Sequence, residues 1–84
     1  GMLRSAYLEG ELQFVELTLD ENCPKTLDEV ELPQQCHLVT VNTGEKCYIP
    51  ADVKSLNTCD KLLFVSRHED LAELRKSLGL SSDS

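Results

Sequence analysis

The fold is decided by residues 38–79, which read LVTVNTGEKCYIPADVKSLNTCDKLLFVSRHEDLAELRKSLG. The first apolar strand of this stretch ends in a turn at Gly44, because glycine can take a positive φ without Cβ strain. Pro50 cannot donate to a sheet ladder and therefore ends the short strand at residues 46–49. Residues 61–66 are apolar on both faces, which predicts a strand in the centre of the sheet.

A helix with recognisable start and stop signals closes the stretch. Residues 66–69 have the Ser-x-x-Glu spacing of a capping box, which predicts the start of the helix. The apolar stripe of this helix consists of Leu71, Leu74 and Leu78. Gly79 is predicted to end the helix, and Leu80 is placed to make the hydrophobic contact that follows such an end.

The strand predicted at residues 11–20 has two apolar faces at its start. The side chains predicted to share its buried face are Val15, Leu17 and Leu19. Leu12 and Phe14 fall on the opposite face. Either a bulge shifts the register, or a second subunit covers this end of the strand. We favour the second interpretation and predict that Leu12 and Phe14 lie in a dimer interface.

A short helix and a second strand are predicted between this strand and the turn at Gly44. Thr26 and Glu29 have capping-box spacing, and Pro33 is expected to end the helix after about a turn and a half. The next strand begins near residue 37. Strict alternation there places His37, Val39 and Val41 on one face and Leu38 and Thr40 on the other.

Size and charge limit the class of protein. The 84 residues predict one domain with a thin core, which self-association would help to stabilise. A net charge of -7 repels phosphate backbones and anionic headgroups, so nucleic acid and membrane surfaces are not expected partners. No apolar run approaches the roughly 20 residues of a spanning helix, so we expect a cytoplasmic protein without direct membrane insertion.

The cysteines do not have the spacing of a metal site. Cys23, Cys36, Cys47 and Cys59 contain no Cys-x-x-Cys pair, so reduced thiols are the favoured interpretation, with a metal or a disulfide as the alternative. An enzyme would need Cys36 or Cys59 paired with His37 or His68, and nothing in the sequence places them together. We therefore expect no enzyme.

The order and spacing of these elements resemble the TrkA-C family, also called the RCK C-terminal domain. The residues that carry the resemblance are 26–33, 38–41 with Gly44, then Pro50, 56–60, 62–65 and 71–79. The resemblance covers residues 9–80. Residues 1–8 are then an N-terminal lead in which Gly1 is a tag-cleavage scar, and residues 81–84 are expected to form a disordered tail.

Two positions depart from the family pattern. Members usually carry Leu-x-x-Gly-Asp before the last strand, and Cys59 stands here in place of the glycine. A positive φ at Cys59 would then cost about 1 kcal/mol. Members also often carry arginine at the end of the second strand, where this chain has Asn42, so an anion-binding role at that position is not expected to carry over.

The resemblance implies a fold and a function. The implied fold is α+β with two layers, a small four-stranded mixed β-sheet with two helices packed on it. The implied function is that of a non-catalytic regulatory domain that forms homodimers on the cytosolic side of potassium channels and other ion transporters. In such proteins a ligand near the dimer interface shifts the arrangement of the subunits and thereby a membrane gate. Some members of the family bind cyclic di-AMP in the dimer cleft, and others bind divalent cations. For this chain we expect no cofactor.

Candidate ligand contacts lie in the second strand and the hairpin. For a dinucleotide they are His37, Val39, Asn42 and Thr43, with Tyr48 as a stacking surface. The alternative is that Val39 is core, that Asn42 and Thr43 form the turn, and that Tyr48 covers an edge. For a divalent cation the oxygen ligands would be Glu9, Glu11, Glu16, Asp20 and Glu21. These residues do not have the spacing of a calcium-binding loop. The alternative is that they form a solvated acidic face.

A second function class remains open. The chain could be a plain oligomerisation or interaction domain that binds no small molecule. In that case Leu12, Phe14 and their neighbours only hold subunits together. The parent protein, the transported ion and the direction of regulation leave no mark in the sequence.

Overall fold

A computed structural model describes residues 12–80 and gives an α+β fold. Four strands form one sheet in the order β1-β4-β2-β3. The strands are β1 Leu12–Thr18, β2 His37–Asn42, β3 Cys47–Tyr48 and β4 Lys61–Arg67. One α-helix, α1 Leu71–Ser77, and three short 3-10 turns, Leu27–Glu29, Pro50–Asp52 and His68–Asp70, complete the part of the chain that is described.

The sheet is antiparallel throughout the described residues, with β4 between β1 and β2. The prediction that residues 61–66 form a central strand is confirmed. The mixed sheet implied by the resemblance is wrong. β1 and β2 both run opposite to β4, so they point the same way, but β4 separates them and no parallel pair forms.

One face of the sheet packs against α1 and forms the core. The nonpolar residues at the centre of that core are Leu17, Leu19, Val41, Leu56, Leu62, Phe64, Leu74 and Leu78. Burying a side chain of this size stabilises the fold by about 1.5–3 kcal/mol. Leu74 and Leu78 are fully buried and Leu71 packs at the edge, which confirms the predicted stripe of the helix.

β1 pairs with β4 without a shift of register, so the start of β1 contains no bulge. Leu17 and Leu19 are buried as predicted, and Val15 packs against them. Leu12 and Phe14 are half-buried on the opposite face. Phe14 lies directly across from Val65 of β4.

The register irregularity lies in β2 instead. A bulge between Leu38 and Thr40 inserts Val39 as an extra residue. Thr40 therefore pairs with Leu63, whose side chain lies on the side of the sheet away from the core, and Val41 faces the core, where it is fully buried. The predicted assignment of His37, Val39 and Val41 to one face is wrong, because the bulge breaks the alternation on which it was based.

The first predicted helix is a 3-10 turn, Leu27–Glu29. Thr26 makes no side-chain cap hydrogen bond, and the Glu29 carboxylate accepts one from the Lys25 N–H at 3.2 Å. Val30 is already extended, with φ of -94° and ψ of 124°. The capping-box pattern did not lead to a helix because Pro33 follows too soon. The few residues before it form too few hydrogen bonds to offset the unfavourable free energy of helix nucleation.

The second predicted capping box is also wrong. Ser66 belongs to β4, and its hydroxyl donates to the Arg67 carbonyl at 3.0 Å. The chain passes through the 3-10 turn His68–Asp70 before α1 begins. The Arg67 guanidinium bonds the Asp70 carboxylate at 2.7 Å and braces this junction between strand and helix.

The end of α1 is as predicted. Gly79 has a φ of 78°, and its N–H bonds the Lys76 carbonyl at 3.0 Å. The Leu80 N–H bonds the Arg75 carbonyl at 2.9 Å, which completes a Schellman motif. Leu80 packs against the core in the expected way.

Cys59 has the positive φ, 78°, that its place in the family pattern predicts. Its N–H bonds the Leu19 carbonyl at 2.8 Å, and the Leu19 N–H bonds the Asp60 carbonyl at 2.8 Å. These bonds continue the pairing of β1 with β4 beyond the ends of both strands, so they hold the loop in a conformation that suits glycine better than cysteine.

The predicted lead at residues 1–8, the tail at residues 81–84, and Glu9 and Glu11 lie outside the described residues. Among the residues that are described, no helix has the length and apolar character needed to cross a membrane.

Candidate functional site

A cleft of about 360 Å³ lies beside the β2–β3 hairpin. We call it the hairpin cleft. Its lining residues are Val41, Thr43, Tyr48, Asp52, Val53, Lys54, Ser55 and Asn57. The hairpin supplies one wall, and the connection between β3 and β4 supplies the other.

Backbone hydrogen bonds fix the hairpin wall. The Thr43 N–H bonds the Lys46 carbonyl at 2.9 Å across the turn. Gly44 takes a φ of 96°, and its N–H donates to the Asn42 side-chain oxygen at 2.8 Å. Asn42 therefore closes the turn, which is the role that the alternative interpretation gave to it.

The opposite wall is fixed in the same way. Pro50 starts a 3-10 turn in which the Asp52 N–H bonds the Ile49 carbonyl at 3.0 Å. The Asn57 N–H bonds the buried Asp60 carboxylate at 2.9 Å. Both walls are thus fixed by hydrogen bonds within the chain. The Thr43 hydroxyl takes part in them, since it donates to the Lys46 carbonyl at 3.4 Å and accepts from the Lys46 N–H at 3.4 Å.

The chemistry of the hairpin cleft is polar and mixed in charge. Lys54 brings an ammonium group and Asp52 a carboxylate, and both residues are exposed. Hydroxyl and amide groups come from Thr43, Tyr48, Ser55 and Asn57. The cleft therefore offers hydrogen bonds and charge to a polar ligand.

The structure brings together two of the five predicted ligand residues. Thr43 and Tyr48 line the hairpin cleft, whereas His37, Val39 and Asn42 do not. His37 is exposed at the far end of β2, and Val39 is half-buried at the bulge. Sequence reasoning missed Asp52, Lys54, Ser55 and Asn57. The signal that could have found them is the density of polar residues in the connection after Pro50.

The side of the sheet away from the core carries an apolar surface. We define the outer face as Leu12, Phe14, Leu63 and Val65, all half-buried. Phe14 and Val65 are direct cross-strand partners, and Leu63 follows on the same face of β4. The two residues predicted for a dimer interface therefore lie in one continuous apolar surface with two residues of the central strand.

The other chemical hypotheses find little support among residues 12–80. No group of three histidine, cysteine, aspartate or glutamate side chains there could hold a metal ion. Cys36 is buried while His37 is exposed. Cys59 and His68 lie at opposite ends of β4, which spans about 20 Å. The described cysteines are free thiols.

Burial raises the pKa of the Cys36 thiol. A hydrogen bond with Ser66 opposes this effect, and the carboxylate of Asp70 adds to it. Cys36 is therefore held in its neutral, unreactive form. It belongs to the packed core of the fold.

Comparison with known proteins shows that the sequence of this small antiparallel α+β domain is similar to part of one named protein. The chain is 35% identical over 72 residues to the Trk system potassium uptake protein TrkA of Mycobacterium tuberculosis, in strains CDC 1551 / Oshkosh and ATCC 25618 / H37Rv. The match covers 82% of this chain and 33% of each relative. The chain thus spans about a third of the length of the curated relatives that it matches. No family model and no solved structure matches the chain.

Proposed function

We propose that this chain is a TrkA-C-type regulatory domain, a non-catalytic module that senses a ligand and forms dimers at the cytosolic face of a potassium channel or another ion transporter. The observation that carries the proposal is the 35% identity over 72 residues to TrkA, whose name describes a potassium uptake protein. The family resemblance of residues 9–80 points the same way. The transport system itself is proposed only by this likeness.

Dimerisation is assigned to the outer face. Phe14 and Val65 are cross-strand partners and Leu63 extends the surface, so apolar area is concentrated on the face of the sheet away from the core. A chain of 84 residues has a thin core, and covering this face would add burial that one subunit lacks. A two-fold arrangement would place the same surface on both subunits.

Ligand sensing is assigned to the hairpin cleft. Thr43 and Tyr48 were predicted ligand contacts, and Lys54 adds the charge that an anionic group would need. The candidate ligand is cyclic di-AMP, which some relatives bind. A divalent cation, which other relatives bind, is not proposed, because Glu16, Asp20 and Glu21, the described residues of the predicted cation site, form no cluster that could hold one.

The experiment is calorimetric titration of the chain with cyclic di-AMP. Lys54→Gln is expected to weaken binding by about tenfold, because one charge-assisted hydrogen bond is lost. Lys61→Gln makes the same change of charge at an exposed position of β4 outside the cleft, and it should bind like the wild type. Equal loss in both variants, or no binding at all, would remove cyclic di-AMP from the proposal.

The alternative is a plain oligomerisation domain. It is favoured by the same outer face, which needs no ligand to be covered. A dimer that binds neither cyclic di-AMP nor a divalent cation would support this alternative over the ligand sensor.

A further inference from the structure

The two edges of the sheet differ in how well they are protected. At one edge, β3 has only two residues, and Pro50 follows it closely. Short strands and proline are common devices that keep a sheet edge from pairing with another chain. At the other edge, β1 has seven residues, LQFVELT, and contains no proline, lysine or arginine. Among residues 12–80, β1 pairs with β4 alone, so its second side is open to pairing.

The hydrogen bonds at the end of β1 show which of its backbone groups lie on this open side. The Leu19 N–H bonds the Asp60 carbonyl, and the Leu19 carbonyl accepts from the Cys59 N–H, both at 2.8 Å. Leu19 therefore directs both of its polar backbone groups towards the strand that pairs with β1. In an antiparallel ladder this direction alternates from one residue to the next. The residues of β1 whose N–H and C=O groups point away from β4 are then Leu12, Phe14, Glu16 and Thr18.

We propose that two copies of this chain pair along these open edges of β1, antiparallel and about a two-fold axis. The two four-stranded sheets would then join into one sheet of eight strands. This inference rests on the dimerisation proposed above, and it names the element by which the two copies join. The partner is a second copy of β1, because this strand is complementary to itself.

Self-complementarity follows from a two-fold axis at Val15. This register pairs every residue of β1 with a residue of the second copy. It sets Phe14 across from Glu16 of the second copy, and Leu12 across from Thr18 of the second copy. All four residues have backbone groups on the open side, so each pair can exchange two hydrogen bonds.

Charge and length favour this register over its neighbours. Glu16 is the single charged residue of β1. An axis at Glu16 would set two carboxylates directly opposite each other, which destabilises a sheet. An axis at Phe14 would pair only residues 12–16 of the described strand. The axis at Val15 uses the whole strand and sets each carboxylate across from a phenyl ring.

The pairing also joins the outer faces of the two copies. Leu12 and Phe14 are the outer-face residues of β1, and an even shift of register keeps them on the same side of the joined sheet. The two Phe14 rings become diagonal neighbours across the junction, a separation that aromatic side chains can span. The apolar surface of one copy therefore continues into that of the other.

The test is hydrogen exchange of single amides, measured by NMR on the 84-residue chain. It is run at one concentration at which sedimentation shows a monomer and at one at which it shows a dimer. The amides of Phe14, Glu16 and Thr18 should exchange at least about tenfold more slowly in the dimer. The amides of Val15 and Leu17, which bond β4, should be protected at both concentrations and serve as the internal reference.

A proline variant tests the same hydrogen bonds. Glu16→Pro removes an N–H that β4 does not use, at a side chain that is exposed, and it should abolish the association. Glu16→Ala is the matched control, since it removes the same side chain and keeps the N–H, and it should associate like the wild type. If Glu16→Pro does not fold, Thr18→Pro removes the next such N–H nearer the strand end. Wild-type association by the folded proline variant would contradict the proposal.

The outcomes separate this inference from the proposed function. A dimer whose Phe14, Glu16 and Thr18 amides exchange as fast as in the monomer would overturn the edge pairing and leave the outer face as the interface. Equal protection of these amides at both concentrations would also overturn it, because the edge would then be covered within one chain. A chain that stays monomeric at all concentrations would overturn both the edge pairing and the proposed dimer.

Discussion

Asn22 and Gly79 meet backbone to backbone. A Cβ on Gly79 would overlap the carbonyl oxygen of Asn22. Gly79 also has a φ of 78°, which the Schellman motif at the end of α1 requires. The turn after β1 and the end of the helix are therefore packed as closely as glycine allows.

Gly79→Ala should destabilise the protein more than the same change at Gly44. Gly44 has a φ of 96° but nothing within 4 Å of an added Cβ, so its substitution meets only backbone strain, about 1 kcal/mol. Gly79→Ala adds the overlap with Asn22 and should cost about 2–4 kcal/mol in total. Urea denaturation of both variants measures the difference. Equal costs would show that the contact relaxes freely.

Cys59→Gly should stabilise the fold by about 1 kcal/mol, because the φ of 78° at Cys59 is strained for a residue with a Cβ. Cys59→Ala is the matched control, since it removes the thiol and keeps the Cβ. It should give no gain. Thermal or urea unfolding measures both changes. A gain of similar size in Cys59→Ala would assign the effect to the thiol instead of the backbone.

The cysteines should differ sharply in reactivity. Cys47 and Cys59 are exposed, whereas Cys36 is 3% exposed and its pKa is raised by burial. A thiol reagent at pH 8 should label the exposed pair rapidly and Cys36 only after denaturant is added. Mass spectrometry of the labelled peptides separates the sites. Fast labelling of Cys36 in the folded protein would contradict this packing.

Cys36 also predicts a pH dependence of stability. Its folded pKa lies above the unfolded value of 9.0, so the neutral thiol is favoured by folding. This contribution is complete below pH 9.0 and is lost as the pH rises through the folded pKa. Unfolding free energies measured at increasing alkaline pH should fall less steeply in Cys36→Ala than in the wild type. Parallel curves would indicate that this thiol does not titrate differently in the two states.

Much of the fold was readable from local chemistry. The alternation in β1, the two-sided apolar run of β4 and the glycines at positions 44 and 79 each carry a strong, local signal, and each prediction is confirmed. The bulge at Val39 could not be predicted from the sequence, because it depends on how β2 pairs with β4. The helix predicted to start at Thr26 does not form. A capping-box pattern marks where a helix can start, but it does not show whether enough residues follow to complete the helix.

The candidate site was only partly readable. Thr43 and Tyr48 flank a turn that the sequence marks clearly, so both could be placed near one cleft. Lys54 and Asn57 belong to a connection without periodicity. Their position beside the hairpin depends on long-range hydrogen bonds. One of these joins the Leu56 N–H to the Lys25 carbonyl at 2.8 Å, and no local sequence pattern predicts it.

Phe14→Glu should convert the proposed dimer to a monomer, because the carboxylate would be buried against its counterpart without a partner. Leu32→Glu is the matched control, since it adds the same charge at an apolar residue that is 38% exposed and lies outside the outer face. It should leave the dimer intact. Sedimentation velocity compares the two variants with the wild type over a range of concentrations.

The central claim, a two-fold regulatory domain, is tested most directly by a native mass spectrum of the unmodified protein. The account predicts a main species of twice 9.4 kDa, with any retained ligand visible as added mass on the dimer. A protein that remains at 9.4 kDa at all concentrations would contradict it.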